Sequence, residues 1–137
     1  SSALQGTRVG GPLVVRMIDE FPAFAIAAAY AQGETVVADA EELRHKESDR
    51  IGKLCQELRL LGVEVEEKPD GFVIHGRPPL HGATVQSHGD HRLAMALSVA
   101  GLGASTELTV EGAEIIAESF PQFSQCLQAL GAELRQA

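Results

Sequence analysis

The sequence predicts an α+β domain built from two tandem copies of one strand-and-helix unit, spanning roughly residues 1–78 and 79–137. Three observations carry that expectation. Short apolar strands alternate with stripes of helical spacing along the chain. One helix-to-glycine junction occurs twice: Ile51, Leu54, Leu58 and Leu61 lead into Gly62, and Phe120, Phe123, Leu127 and Leu130 lead into Gly131. Beyond it, Leu61-Gly62-Val63-Glu64-Val65 is answered by Leu130-Gly131-Ala132-Glu133-Leu134. Finally, no G-x-G-x-x-G or Walker loop follows any predicted strand, which favours helices packed behind mixed sheets over a doubly wound nucleotide-binding sheet.

The elements follow in order. Thr7 to Val9 or Leu13 to Val15 supplies a first strand. Phe24 to Tyr30 is an alanine-rich helix with Pro22 in its first turn and Gly33 as its expected C-cap. Thr35 to Ala38 reads as a short buried strand, and the Ile51–Leu61 stripe as the second helix. Val63-Glu64-Val65 and Phe72-Val73-Ile74 flank Lys68-Pro69-Asp70-Gly71, a hairpin turn signal. In the second half, Thr84-Val85-Gln86 and Glu107 to Val110 are strands around an Asp90–Leu102 helix, with a last helix on the Phe120–Leu130 stripe.

Composition bounds the function. The 137 residues are 45% apolar and 4% aromatic with a net charge of -8, which suits a compact core of Ala, Val, Leu and Ile. An acidic body repels nucleic acid and anionic membrane, so neither is an expected partner. The apolar run from Phe21 to Ala31 is too short to cross a bilayer, and the first residues lack the basic and apolar regions of a signal peptide. A cytoplasmic location, or a plastid-like one, is therefore expected. Cys55 and Cys126 each fall on an apolar helical stripe without a C-x-x-C pair, and are expected to be reduced core thiols. His81, His88 and His91 match no zinc spacing, so no metal and no cofactor are expected.

The chemistry lies in two charged clusters, Lys46-Glu47-Ser48-Asp49-Arg50 and Gly89-Asp90-His91-Arg92, both at predicted helix starts. Carboxylates there are ordinary caps, and Asp19-Glu20, Glu47, Asp49 and Asp90 are placed for that role. Basic side chains oppose the positive end of the helix dipole and need another reason to be there. Arg44 reads as part of a solvated face. Arg50 and Arg92 read as an anion fork, because guanidinium offers paired donors to carboxylate or phosphate, with neighbouring acids available for proton transfer without a metal.

Four strings give these residues a family context: Met17-Ile18-Asp19-Glu20-Phe21-Pro22, Glu42 to Ile51, Gly89-Asp90-His91-Arg92-Leu93-Ala94-Met95-Ala96, and Ser119-Phe120-Pro121-Gln122-Phe123. In this order and spacing the chain closely resembles, over essentially its whole length, the C-terminal part of the 5-enolpyruvylshikimate-3-phosphate (EPSP) synthase family. The resemblance implies two tandem βαβαββ units of the enolpyruvyl transferase fold, part of one domain. It also implies transfer of an enolpyruvyl group from phosphoenolpyruvate to the 5-hydroxyl of shikimate 3-phosphate, with release of phosphate. By that resemblance Asp19 is the base that also contacts shikimate 3-phosphate, Glu47 handles the methylene proton, and Lys46 contacts shikimate 3-phosphate. Arg50 and Arg92 clamp phosphoenolpyruvate, His91 supports them, and glyphosate is an implied inhibitor of the same pocket.

Two positions depart from the family pattern. Glu118 stands where many members carry a phosphoenolpyruvate-binding lysine, and His45 where valine is common. Family members are about three times longer, with the site in a cleft between two domains. Ser1 is therefore expected to be an imposed boundary, the missing N-terminal portion to be a required partner, and the chain alone to turn over little or not at all. Three other readings stay open: a transferase acting on UDP-N-acetylglucosamine, a non-catalytic anion-binding half-domain, and a purely structural repeat fragment.

Overall fold

In the computed structural model, which describes residues 3–135, two sheets and four of the five helices share one core, with the fifth helix outside it. Strand β1 (Arg8–Val9) leads into a short helix α1 (Pro12–Met17), then α2 (Phe21–Tyr30) and β2 (Gly33–Val37). A 3-10 turn (Glu41–His45) precedes α3 (Gly52–Leu60), followed by the strands β3 (Glu64–Lys68) and β4 (Gly71–Gly76). The second half runs β5 (Thr84–Gln86), α4 (His91–Ala100), β6 (Thr109–Glu111), a 3-10 turn (Ala113–Glu118) and α5 (Phe123–Ala129).

The first sheet has the order β1-β2-β4-β3 and is mixed: β1 runs parallel to β2, and the other pairs are antiparallel. Central β4 is buried along Phe72, Val73 and Ile74, as a strand covered on both faces must be. Gly71 opens it where an added Cβ would fall 1.8 Å from the Val37 carbonyl oxygen, so only glycine fits. Pro69 and Asp70 form the expected hairpin turn, closed by the pair Lys68 and Gly71. The second sheet is the parallel pair β5-β6.

Helix α2 is apolar nearly all round, and its alanines allow close approach to both β4 and α4. Pro22 lies in its first turn as expected, but the helix stops at Tyr30 with Ala31 as cap. Gly33 instead begins β2 with φ 96, so the strand and not the helix end uses its left-handed backbone. Leu13 to Val15 is helical rather than a strand: Pro12 presets the first turn, and Val14 alone of these three is buried. The stripe of α3 is fully covered, with Ile51, Leu54, Leu58 and Leu61 at 0% exposure. Gly62, at φ 83, turns the chain so that the Val63 amide donates back to the Leu58 carbonyl.

The junction at Gly131 closes the same way, Ala132 donating to the Leu127 carbonyl, but the second stripe is not core. Helix α5 has no buried residue, and Leu130 is 85% exposed. Among the described residues no strand follows Gly131, whereas β3 and β4 follow Gly62, so nothing covers this stripe as the hairpin side covers α3. Cys126 is accordingly exposed and not a core thiol, while Cys55 is buried and burial pushes its thiol up to about 12. A thiol reagent near neutral pH is expected to label Cys126 at once and Cys55 only after denaturation; simultaneous labelling of both would contradict this packing. Among the described residues no helix is long and apolar enough to cross a membrane.

Candidate active site

Three loops bring the charged residues together. Asp19 lies in the turn between α1 and α2, Lys46 to Arg50 in the loop before α3, and Ser87 to Asp90 in the turn between β5 and α4. At their meeting point is Arg50, whose side chain is 0% exposed. Its Nε donates to Asp90 Oδ2 at 2.8 Å and its Nη2 to Asp90 Oδ1 at 3.1 Å, a two-pronged pair. Nη1 reaches Asp19 Oδ1 at 3.2 Å, and Nη2 also donates to Glu47 Oε2.

The expected anion at Arg50 is thus supplied first by the chain itself. A buried guanidinium needs full compensation, and Asp90, Asp19 and Glu47 provide it. Asp90 serves two elements: besides holding Arg50, its Oδ1 accepts from Arg92 N at 3.0 Å and caps α4 as expected. Ser48 Oγ adds a bond to Asp90 Oδ2 at 2.8 Å. Burial works against the ionised Asp90 carboxyl, yet the hydrogen bonds from Arg50 and Ser48 and the Arg50 charge outweigh it and hold its pKa below the usual value.

Asp49 fulfils the capping expectation too, accepting from Gly52 N at 2.9 Å and Ile51 N at 3.1 Å. Burial opposes its charge, but those amides and Arg44 lower its pKa. Glu47 does not cap; it turns to Arg50. Arg44 is not a solvated charge: it donates to the Pro69 and Lys68 carbonyls, to Asp49 and to Glu67, tying the loop to the β3–β4 turn. His45 is exposed, so the departure from valine faces solvent.

Because Asp90 and Asp49 have folded-state pKa values below their unfolded ones, their stabilisation is complete above about pH 4 and is lost as pH falls through the folded-state values. Urea midpoints are therefore expected to drop on acidification below pH 4, with a shallower drop in Asp90→Asn. Equal slopes in both proteins would contradict the assignment.

Around this buried pair lie the more accessible groups. Asp19 and Glu47 are 47% and 49% exposed at the side chain. Lys46 Nζ stands 4.0 Å from Asp19 Oδ1. Arg92 is 37% exposed and reaches the turn that precedes α2, its Nη1 donating to the Asp19 carbonyl at 3.2 Å and to Glu20 Oε1 at 3.3 Å. It borders a groove of about 210 Å³ between α2 and α4, lined by Ile26, Met95 and Val99 among others. His91 joins Glu47 and Asp90 within 4.8 Å by their ligand-type atoms, and the cation bound to two of these three is Arg50. His81 and His88 lie outside that group.

All six residues singled out from the sequence therefore belong to one cluster. Sequence reasoning missed Ser48 and the second role of Asp90. A cap signal explains Asp90 locally, and its bond to a residue forty positions away leaves no local trace.

The fold has close counterparts. EPSP synthase from Acinetobacter baumannii superposes with a TM-score of 0.93 at 40% identity, over 98% of this chain and 32% of that one. The enolpyruvyl transferase NikO from Streptomyces tendae matches with a TM-score of 0.77 at 21% identity, over 100% of this chain and 30% of its own, which speaks for the fold alone. The architecture is thus one seen in enolpyruvyl transferases. The family model for EPSP synthase (3-phosphoshikimate 1-carboxyvinyltransferase) matches residues 3–127. The 3-phosphoshikimate 1-carboxyvinyltransferase of Desulforamulus reducens is 54% identical over 125 residues, 91% of this chain and 29% of the relative. That of Desulforudis audaxviator is 51% identical over 133 residues, 97% of this chain and 31% of the relative. The chain belongs to the EPSP synthase family, and it spans less than a third of the length of these relatives.

Proposed function

We propose that this chain forms one wall of a 3-phosphoshikimate 1-carboxyvinyltransferase active site, completed by the rest of a longer protein in the cytoplasm. The observation that carries this reading is the pair of half-exposed carboxylates, Asp19 and Glu47, held by one buried guanidinium with Lys46 and Arg92 beside them. Enolpyruvyl transfer needs two proton positions and several cations, and this cluster offers both.

In the proposed reaction Asp19 takes the 5-hydroxyl proton of shikimate 3-phosphate, whose oxygen bonds to C2 of phosphoenolpyruvate. Glu47 delivers a proton to the methylene carbon C3, giving a tetrahedral intermediate. Glu47 then takes a proton back from C3, re-forming the double bond as the C2–O bond breaks, and the phosphate leaves with that bond's electron pair and the proton held by Asp19. Lys46 contacts shikimate 3-phosphate, Arg92 and Arg50 hold phosphoenolpyruvate, and His91 supports them. Asp90, Asp19 and Glu47 already take four of the five Arg50 N–H donors, so Arg50 can do so only through the remaining Nη1 N–H or by exchange with one of these carboxylates. Glyphosate competes in the same pocket. By itself the chain orients neither substrate fully and excludes little water, so turnover requires the remaining portion.

The test is a chimera in which this chain replaces the matching segment of the Desulforamulus reducens relative, assayed for phosphate release. Release that needs both substrates, and falls about a hundredfold or more in Arg92→Ala, is expected. A folded chimera without release would overturn the reading, and product formed on UDP-N-acetylglucosamine instead would assign the neighbouring reaction.

A further inference from the structure

Two carboxylates are fully buried among the described residues, Asp90 and Glu57, and the cluster accounts only for the first. Glu57 sits in the middle of α3, a helix packed on β5. Its Oε1 accepts from the Gln86 amide at 2.7 Å. Its Oε2 faces His88 Nε2 at 3.3 Å, and although the angle does not make a hydrogen bond, neither atom has another partner. Burying a carboxylate costs several kcal/mol, far more than one amide bond returns, so this position asks for a further reason.

The backbone beside it supplies one. His88 takes φ 54 and Gly89 φ 69, two consecutive left-handed residues, and for histidine that conformation costs about 1 kcal/mol. The turn is bound to itself by Asp90 N donating to Ser87 O at 3.0 Å, and to the β6 end by Ser87 Oγ donating to Gly112 O at 2.9 Å. On its far side it delivers Asp90 to Arg50 and starts the helix that carries Arg92. Glu57 holds it at its leading end through the Gln86 amide and lies against His88, from the same helix that Arg50 precedes.

We infer that Glu57 is a positioning residue: its buried carboxylate acts as a strut that holds the strained Ser87–Asp90 turn and so sets Asp90 against Arg50. The importance of that geometry for ligand binding rests on the function proposed above, but the strut itself does not.

The test uses the chain as it stands, by amide hydrogen exchange and by the NMR signal of the Arg50 Nε–H. Glu57→Leu keeps the volume and removes the acceptor, so it is expected to fold. In it, the Gln86, Arg92 and Leu93 amides should exchange about tenfold faster or more, and the Arg50 signal should shift or broaden, while β2 and β4 keep their protection. Glu57→Gln retains an acceptor and should restore both readouts, and adding His88→Gly to Glu57→Leu should recover the Arg92 and Leu93 amides by removing the strain. Unchanged exchange and an unchanged Arg50 signal in Glu57→Leu, equal loss of protection across the whole chain, or no recovery in either rescue would overturn the inference. Neither readout involves substrate, so a failed chimera assay and a failed strut test are separate results.

Discussion

Asp90→Ala is expected to remove most of the stability of the fold. The change leaves Arg50 buried without its two-pronged partner, and breaking a buried ion pair from one side costs about 3–5 kcal/mol. It also strips the cap of α4, for about another 1 kcal/mol. Against a total of roughly 5–15 kcal/mol for a domain of this kind, the urea midpoint should collapse or vanish. Removing both charges is milder: Arg50→Met with Asp90→Asn keeps a capping oxygen and leaves no lone buried ion, only the half-exposed Asp19 and Glu47, so the double variant should be more stable than Asp90→Ala. A loss below about 1 kcal/mol in the single variant, read from urea unfolding, would show that the pair is not the structural hub described.

Glu47→Gln should behave in the opposite way. The side chain is 49% exposed and Arg50 retains Asp90 and Asp19, so the melting temperature should scarcely move. In the chimera, however, turnover is expected to fall on the order of 10²–10⁴-fold, because an amide cannot deliver the methylene proton. Near-normal turnover would remove Glu47 from the proton path and leave it as a partner of Arg50.

These two residues show where the sequence was readable and where it was not. The β3–β4 hairpin and α3 were legible because their signals are local: Pro69-Asp70-Gly71 marks a tight turn, and the Ile51–Leu61 stripe has the helical period. Leu13 to Val15 misled because three branched apolar residues look like a strand, while Pro12 presets a helical turn. The charged clusters announced a candidate site by residue type and position. Their wiring did not follow, since Arg50–Asp90 and Arg44–Lys68 join segments distant in sequence. Cys126 was misplaced for a related reason: a stripe reports that a face is apolar, and only tertiary structure decides whether anything lies on it.

The unequal reach of the strand pairings also sets an order of assembly. The β3–β4 hairpin closes across Pro69 and Asp70, so little chain entropy is lost in forming it. The parallel pairs must instead bring Arg8 to Val36 and Thr84 to Thr109 before a single ladder bond rewards them. The hairpin and α3 are therefore expected to form first, and the β1–β2 and β5–β6 closures late. The charged cluster, which needs the turns after α1 and after β5 together, is consequently expected to be among the last parts of the chain to form during folding.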